Sequence, residues 1–196
     1  CFRDMGFERD MQGVSVPKES PFETWGMGAR MDELRGAIGL VQVGRLSGLV
    51  GKMRGHQLRL REALGKTPGI RLRRLVDPMG DSGSYFTWIH ESTDMADQFM
   101  NALNAEGIPA NRPHGGLHQY RYMSSLLNKV PVTTEGCPWS CPYNAESPME
   151  YQANMLPRSN QLLDQARMLA LPPLLTEKDI DDVIRAFRKV ANTMLA

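Results

Sequence analysis

Gly26-Met-Gly28-Ala-Arg30-Met31-Asp-Glu33-Leu34-Arg-Gly-Ala37-Ile38-Gly39-Leu40-Val-Gln42-Val-Gly-Arg-Leu46 is the stretch on which the reading of this chain turns. Its first residues are a glycine-spaced turn; from Met31 a helical pattern begins. Met31, Leu34, Ile38, Val41, Leu46, Leu49, Val50, Met53, Leu60 and Leu64 recur at spacings near three and four, with charged residues between them. Asp32 and Glu33 stand in the first turn, where acidic side chains suit the positive end of the helix dipole. Pro68-Gly69 is the expected end. The same helix carries Gly36, Gly39, Gly44, Gly48, Gly51 and Gly55, each costing about 1 kcal/mol against alanine in a helix interior. Two readings fit these glycines: a helix bent or broken near Gly44, or a face on which another backbone packs closely. A glycine pair ahead of a helix N-terminus, with the Arg30 fork beside it, suits a phosphate or carboxylate; a plain turn with Arg30 in a surface pair suits it too.

Outward from this helix the pattern changes period. Ile70–Val76 alternates apolar and basic residues, and Ser84–His90 is rich in aromatic and β-branched types, so both read as strands about the turn cluster 77–83. Thr93–Glu106 reads as a helix capped by Ser92 or Thr93 and closed by Gly107, and Ile108–Asn111 as a short third strand. Residues 113–157 are punctuated by six prolines, with one helix near Tyr120–Lys129; an irregular stretch of this length is usually functional or an insertion. Two closing helices are expected over Arg158–Leu169 and Thr176–Leu195, the second opening on a capping-box-like Thr176-Glu-Lys-Asp179. Strands alternating with helices make the chain α/β or α+β.

The composition excludes some classes of function. The 196 residues hold 23 Lys plus Arg against 22 Asp plus Glu, so the net charge of +1 provides no field to gather nucleic acid. No apolar run reaches the ~18–20 residues of a membrane span, and no signal-peptide pattern opens the chain, so neither a membrane nor a nucleic-acid partner is expected. The first residue is Cys rather than Met, which leaves a processed chain or a piece of a longer one. An odd count of three cysteines does not suggest a secreted disulfide framework, and a cytoplasmic location is the expectation. Cys137-Pro-Trp-Ser-Cys141 has no second metal-ligating pair at zinc spacing, so no metal site is expected; a disulfide and two free thiols both remain. Asn111-Arg112-Pro-His114-Gly-Gly-Leu-His118-Gln-Tyr120 gathers groups able to donate and accept near neutral pH, as an active-site loop or a polar surface loop. His56, on the long helix, and His90, at a strand end, read as structural or solvated.

The opening stretch resembles the "G-x-N-x-R-M-x-E-L-x-A-A-I-G-L-x-Q-L-x-x-L" signature of the DegT/DnrJ/EryC1/StrS family. Three more segments agree in order: Arg3-Asp4-Met-Gly6 with "R-D-H-G"; Gly107-Ile-Pro-Ala-Asn-Arg112-Pro113 to His118 with "G-I-x-x-x-R-P…H"; and Leu156-Pro157, Leu169-Ala-Leu171-Pro172 and Leu175–Ile184 with the family's closing motifs. The resemblance implies an α/β fold: the C-terminal part of a type I pyridoxal-phosphate-dependent transferase, comprising the end of the large domain, a long linking helix and a small α+β domain. Residues 1–48 would close the large domain and begin the linking helix, and 49–196 would form the small domain. It implies an aminotransferase acting from an amino-acid donor on a nucleotide-linked keto-sugar or a cyclitol ketone, with pyridoxal 5'-phosphate as cofactor and a homodimer sharing the site. The family's Schiff-base lysine stands upstream of "R-D-H-G", hence ahead of Cys1, so this chain alone is expected to be inactive and to hold no catalytic residue. Gly28 and Arg30 would meet the cofactor phosphate across the dimer; Gly28 replaces the family's asparagine, leaving only backbone N–H there. Arg112 and His118 match substrate-side positions and His114 lies beside them. The alternative is an inactive member or truncated piece serving as a sensor or structural module.

Overall fold

The computed structural model describes Gln12 and residues 32–113, 119–144 and 150–194. The chain forms two compact units, Glu33–Pro113 with Arg158–Ala196, and Cys1–Asp32 with His114–Pro157.

In the first unit, helix α1 (Glu33–Leu64) runs 32 residues without interruption. The reading in which the helix breaks near Gly44 is not met, and the helix closes at Leu64, ahead of Pro68-Gly69, where the Thr67 N–H turns back to the Leu64 carbonyl at 3.0 Å. Three strands follow in an antiparallel sheet of order β1 (Arg71–Leu72), β2 (Tyr85–Ile89) and β3 (Ala166–Ala170). The Ile70–Val76 strand thus shrinks to two residues, since β2 pairs it only at Arg71↔Ile89 and Leu72↔Trp88. Helix α2 (Thr93–Ala105) starts where the Ser92 hydroxyl accepts the Met95 N–H at 3.1 Å and closes before Gly107, whose φ of +82° a side chain would strain. Helix α5 (Glu177–Met194) opens on a reciprocal cap: Thr176 Oγ1 donates to Asp179 Oδ2 at 2.7 Å and accepts the Asp179 N–H at 3.3 Å.

Two further expectations are corrected. The helix over Arg158–Leu169 is in fact α4 (Pro157–Gln165) followed directly by β3, because Ala166–Ala170 pairs with the whole of β2, Tyr85↔Ala170 through Ile89↔Ala166. The strand over Ile108–Asn111 reduces to one bridge, Asn111 with Met168, closed by two hydrogen bonds of 2.8 and 2.9 Å.

One face of the sheet carries the core. Phe86 and Trp88 alternate inward from β2 and meet Phe187 of α5, with the Trp88 and Phe187 rings edge to face at 4.8 Å. Phe99 and Leu103 of α2, Ile180, Val183 and Val190 of α5, and Leu60 and Leu64 of α1 complete the cluster. Each such side chain withdrawn from water contributes roughly 1.5–3 kcal/mol before ordering costs are set against it.

Asp81 ties the 77–84 turn to α1. Its carboxylate accepts from Arg73 at 2.6 Å, the Gly83 N–H at 2.8 Å and Gln57 at 3.2 Å, while its carbonyl accepts from Arg54 at 2.6 Å. The Arg73 hydrogen bond is the main reason its pKa lies below the ordinary carboxylate value. Gly83, at φ +72°, lies so close that a β-carbon there would stand 2.5 Å from the Arg54 nitrogen.

In the second unit the expected helix near Tyr120–Lys129 is a 3-10 turn, Tyr120–Tyr122, followed by the four-residue α3 (Ser124–Leu127). The Tyr120 hydroxyl donates to the Ala153 carbonyl at 2.9 Å and accepts the Leu156 N–H at 3.0 Å, tying Tyr120 to the stretch 153–156. Cys137 and Cys141 form a disulfide around a turn whose Trp139 indole donates to the Val130 carbonyl at 2.9 Å and meets the Tyr151 ring.

Candidate functional site

The approach to Arg112 is built by the end of α2. Past Gly107, Asn104 holds both groups of Ala110, accepting its N–H at 2.9 Å and donating to its carbonyl at 3.2 Å. The bridge from Asn111 to Met168 then lays the chain along β3, so Arg112 emerges beside α2. Its guanidinium forks onto Asp97: Nη2 donates to Oδ2 at 2.6 Å and Nε to Oδ1 at 3.2 Å. Arg167 of β3 reaches the same carboxylate from the interior, Nη2 to Oδ1 at 2.5 Å, and spends Nη1 on the Asp164 and Ala166 carbonyls at 2.8 and 2.6 Å.

Burial pushes the Asp97 carboxyl upward, but hydrogen bonds and attraction from the two guanidiniums more than reverse this, and its pKa falls below the usual carboxylate value. Burial likewise lowers the Arg167 guanidinium, with Asp97 opposing that shift. Two cations share the Asp97 carboxylate, Asp164 adds a second negative charge near Arg167, and Arg112 is the cation that keeps water contact.

Among the five residues singled out from the sequence, Arg112 is described; Gly28, Arg30, His114 and His118 lie outside the described residues. Asp97 and Arg167 were not anticipated. One signal was available: Arg167 is a charge inside the apolar run Ala166-Arg-Met-Leu-Ala170, a placement that needs a buried partner.

The other histidines are structural. His90 is buried, with Nδ1 3.0 Å from the Gly69 carbonyl and Nε2 accepting from the Trp88 indole at 3.2 Å, which makes it a neutral Nδ1–H imidazole. Burial lowers its pKa most, the Gly69 bond opposes this, and Arg167 adds to the lowering. His56 donates through Nε2 to the Leu175 carbonyl at 3.1 Å and fastens α1 to the start of α5.

A phosphate-bearing aldehyde cofactor requires a sheltered amine and an anion cradle, and the described residues assemble neither. Lys129 pairs with Glu150 and Lys189 with Glu106, while Lys52, Lys66 and Lys178 are exposed. The groove of about 740 Å³ between the end of α2, β3 and α5 has an apolar floor of Ile108, Leu169, Val183 and Ala186, and the Glu106–Lys189 and Asp182–Arg185 pairs on its rim close on each other. Among the described residues no His, Cys, Asp and Glu side chains group as a metal site, and no helix is long and apolar enough to cross a membrane.

The chain is similar in fold to the aminotransferase TlmJ from Streptoalloteichus hindustanus, at 16% identity and a TM-score of 0.62, over 100% of this chain and 44% of that one. It is similar to Helicobacter pylori PseC, an aminotransferase involved in the biosynthesis of pseudoaminic acid, at 16% identity and a TM-score of 0.60, over 98% and 44%. It is also similar to S. venezuelae DesV, solved in complex with a ketimine intermediate, at 21% identity and a TM-score of 0.58, over 97% and 42%. These identities show a shared mixed α/β fold, and the chain spans less than half the length of these structures. The model of a pyridoxal-phosphate-dependent family matches residues 1–142, which include both the glycine-turn signature and the Arg112 segment: the chain belongs to the DegT/DnrJ/EryC1/StrS aminotransferase family.

Proposed function

We propose that this chain is the C-terminal portion of a dimeric aminotransferase that moves an amino group from an amino acid to a keto-sugar, nucleotide-linked, or to a cyclitol ketone. The family match over residues 1–142, joined to structural matches that cover nearly all of this chain and less than half of each relative, carries the reading. In it, residues 1–48 end the large cofactor-binding domain and start the linking helix, and residues 49–196 form the small domain. The unbroken α1, docked by its last turns on the sheet, supports a rigid link of that kind.

The cofactor is pyridoxal 5'-phosphate, and its Schiff-base lysine belongs to the segment preceding "R-D-H-G" in the complete enzyme. The Gly28 backbone and the Arg30 fork bind the phosphate of the neighbouring subunit's cofactor, where a helix start and a guanidinium favour a dianion. Arg112, His118 and His114 face the substrate. Arg112 suits that task because its fork is already oriented by Asp97 and the side chain keeps water contact.

The test uses the complete protein. An open frame upstream of Cys1 carrying a lysine in the family's context, with an aldimine absorbance that borohydride traps, is the expected result. A frame without that lysine removes the transamination claim. Arg30→Ala should weaken cofactor retention; unchanged retention removes the phosphate role. The second reading is an inactive family member serving as a sensor, and a missing upstream lysine selects it.

A further inference from the structure

We infer that Asp97 is a positioning residue that holds Arg112 ready for an oxyanion, with Arg167 as its buried anchor. This rests on the reading that Arg112 faces the substrate. Arg167 has no solvent exposure, and a buried guanidinium left without a counter-charge is strongly destabilising, so Asp97 must first answer Arg167. It does so through Oδ1. Oδ2 is then fixed in place by a neighbour that does not move, and it is this oxygen that takes Arg112 Nη2.

The fork on Arg112 is the second observation. Nε and Nη2 both point to Asp97, which fixes the plane of the guanidinium as well as its place and leaves the Nη1 side for an incoming anion. An arginine at 47% exposure ordinarily samples many rotamers, and ordering it on binding costs affinity. Here that ordering has already occurred, imposed from the interior of the sheet through β3, α2 and the Asn111–Met168 bridge. A guanidinium so oriented and in contact with water suits a carboxylate, as on an amino-acid donor, or a phosphate, as on a nucleotide.

The experiment titrates inorganic phosphate and, separately, acetate into the full chain and follows the Arg112 Nε–Hε resonance, assigned by its loss in Arg112→Gln. The wild type should show a protected Nε–H and a saturable shift, and the stronger of the two probes identifies the oxyanion class. Asp97→Asn alone leaves Arg167 unanswered and is prone to unfold, so the decisive protein is the double variant Asp97→Asn with Arg167→Met, its fold checked by its thermal transition. Freeing the fork should weaken probe affinity about fivefold, the scale of ordering one long side chain, and expose the Nε–H to rapid exchange. Asp97→Glu, which keeps the charge, should recover part of the affinity. If Asp97 serves only to neutralise Arg167, the double variant binds as the wild type does, and the positioning role is overturned while Arg112 keeps its own. If Arg112→Gln binds the probes unchanged, or the wild type shows no saturable shift, the substrate-side reading of Arg112 fails, and the positioning role with it.

Discussion

Helix α1 carries similar side chains along its length and meets two different surroundings. In its first half Leu40 and Val43 keep 78% and 69% of their surface, and Leu34, Ile38, Val41 and Leu46 are exposed as well. In its last turns Leu60 and Leu64 have no exposure, and His56 and Gln57 are buried beside them. The glycines of the helix face open space in both halves. A β-carbon added at Gly36, Gly39, Gly44, Gly48, Gly51 or Gly55 meets nothing within 4 Å, whereas Gly83, on the turn that docks against the second half, touches the helix backbone itself. Apolar residues at helical spacing therefore do not by themselves say which of them are covered; that is decided by elements from elsewhere in the chain.

The contrast can be broken most forcefully at the covered end. Phe187→Ala removes the ring on which Phe86, Trp88 and Phe99 converge, in the cluster that includes Leu60 and Leu64, and should cost about 3–5 kcal/mol in urea unfolding. A loss under about 1 kcal/mol would mean that this end is no better packed than the other. Next in size is Gly83→Ala, which combines a strained φ with a collision on the Arg54 backbone and should cost about 1–3 kcal/mol. Gly44→Ala is the matched control and should raise stability by up to about 1 kcal/mol, since it adds helix propensity in open space.

Acid should act on the covered region through His90, whose Nδ1 bonds the Gly69 carbonyl just past the end of α1. Its native pKa lies below the unfolded value of about 6.5, so its contribution is complete above that pH and is lost as the pH falls toward the native pKa. Unfolding followed from pH 7 downward should show this loss in the wild type, and His90→Asn should flatten it. Asp97 acts further down: its lowered carboxylate stabilises the fold above about pH 3.9 and is lost as the pH drops through its native pKa. The smallest effect is expected at Leu40→Ala, within about 0.5 kcal/mol for the chain by itself. A loss of more than about 1 kcal/mol would show that the first half is covered in solution.

Much of the fold was legible because its signals are local. Ser92 and Thr176 announce helix starts through hydrogen bonds that span three residues, and both bonds form. The β2 alternation of Phe86 and Trp88 and the Ile180, Val183, Ile184, Phe187, Val190 stripe of α5 follow from strand and helix periods alone. The disulfide was one of two outcomes open to Cys137-Pro-Trp-Ser-Cys141, since spacing permits the bond without requiring it. Of the candidate site, the sequence pointed to Arg112 but not to what holds it.

What the sequence determined by itself, then, is the family, the helix and strand faces, and the residues that carry charge. What tertiary structure alone decided is where Ala166–Ala170 goes and what Arg167 does there. Five residues of that composition suit a helix's last turn as well as a strand, and the choice falls to β2, which offers a full register of backbone partners about eighty residues earlier. Once β3 forms, Arg167 is carried inside, where Asp97, 70 residues away, pairs with it at 2.5 Å and the Asp164 and Ala166 carbonyls accept from its Nη1. No local rule encodes that meeting, because the desolvation cost of a buried guanidinium is set by the finished fold and not by its neighbours in sequence.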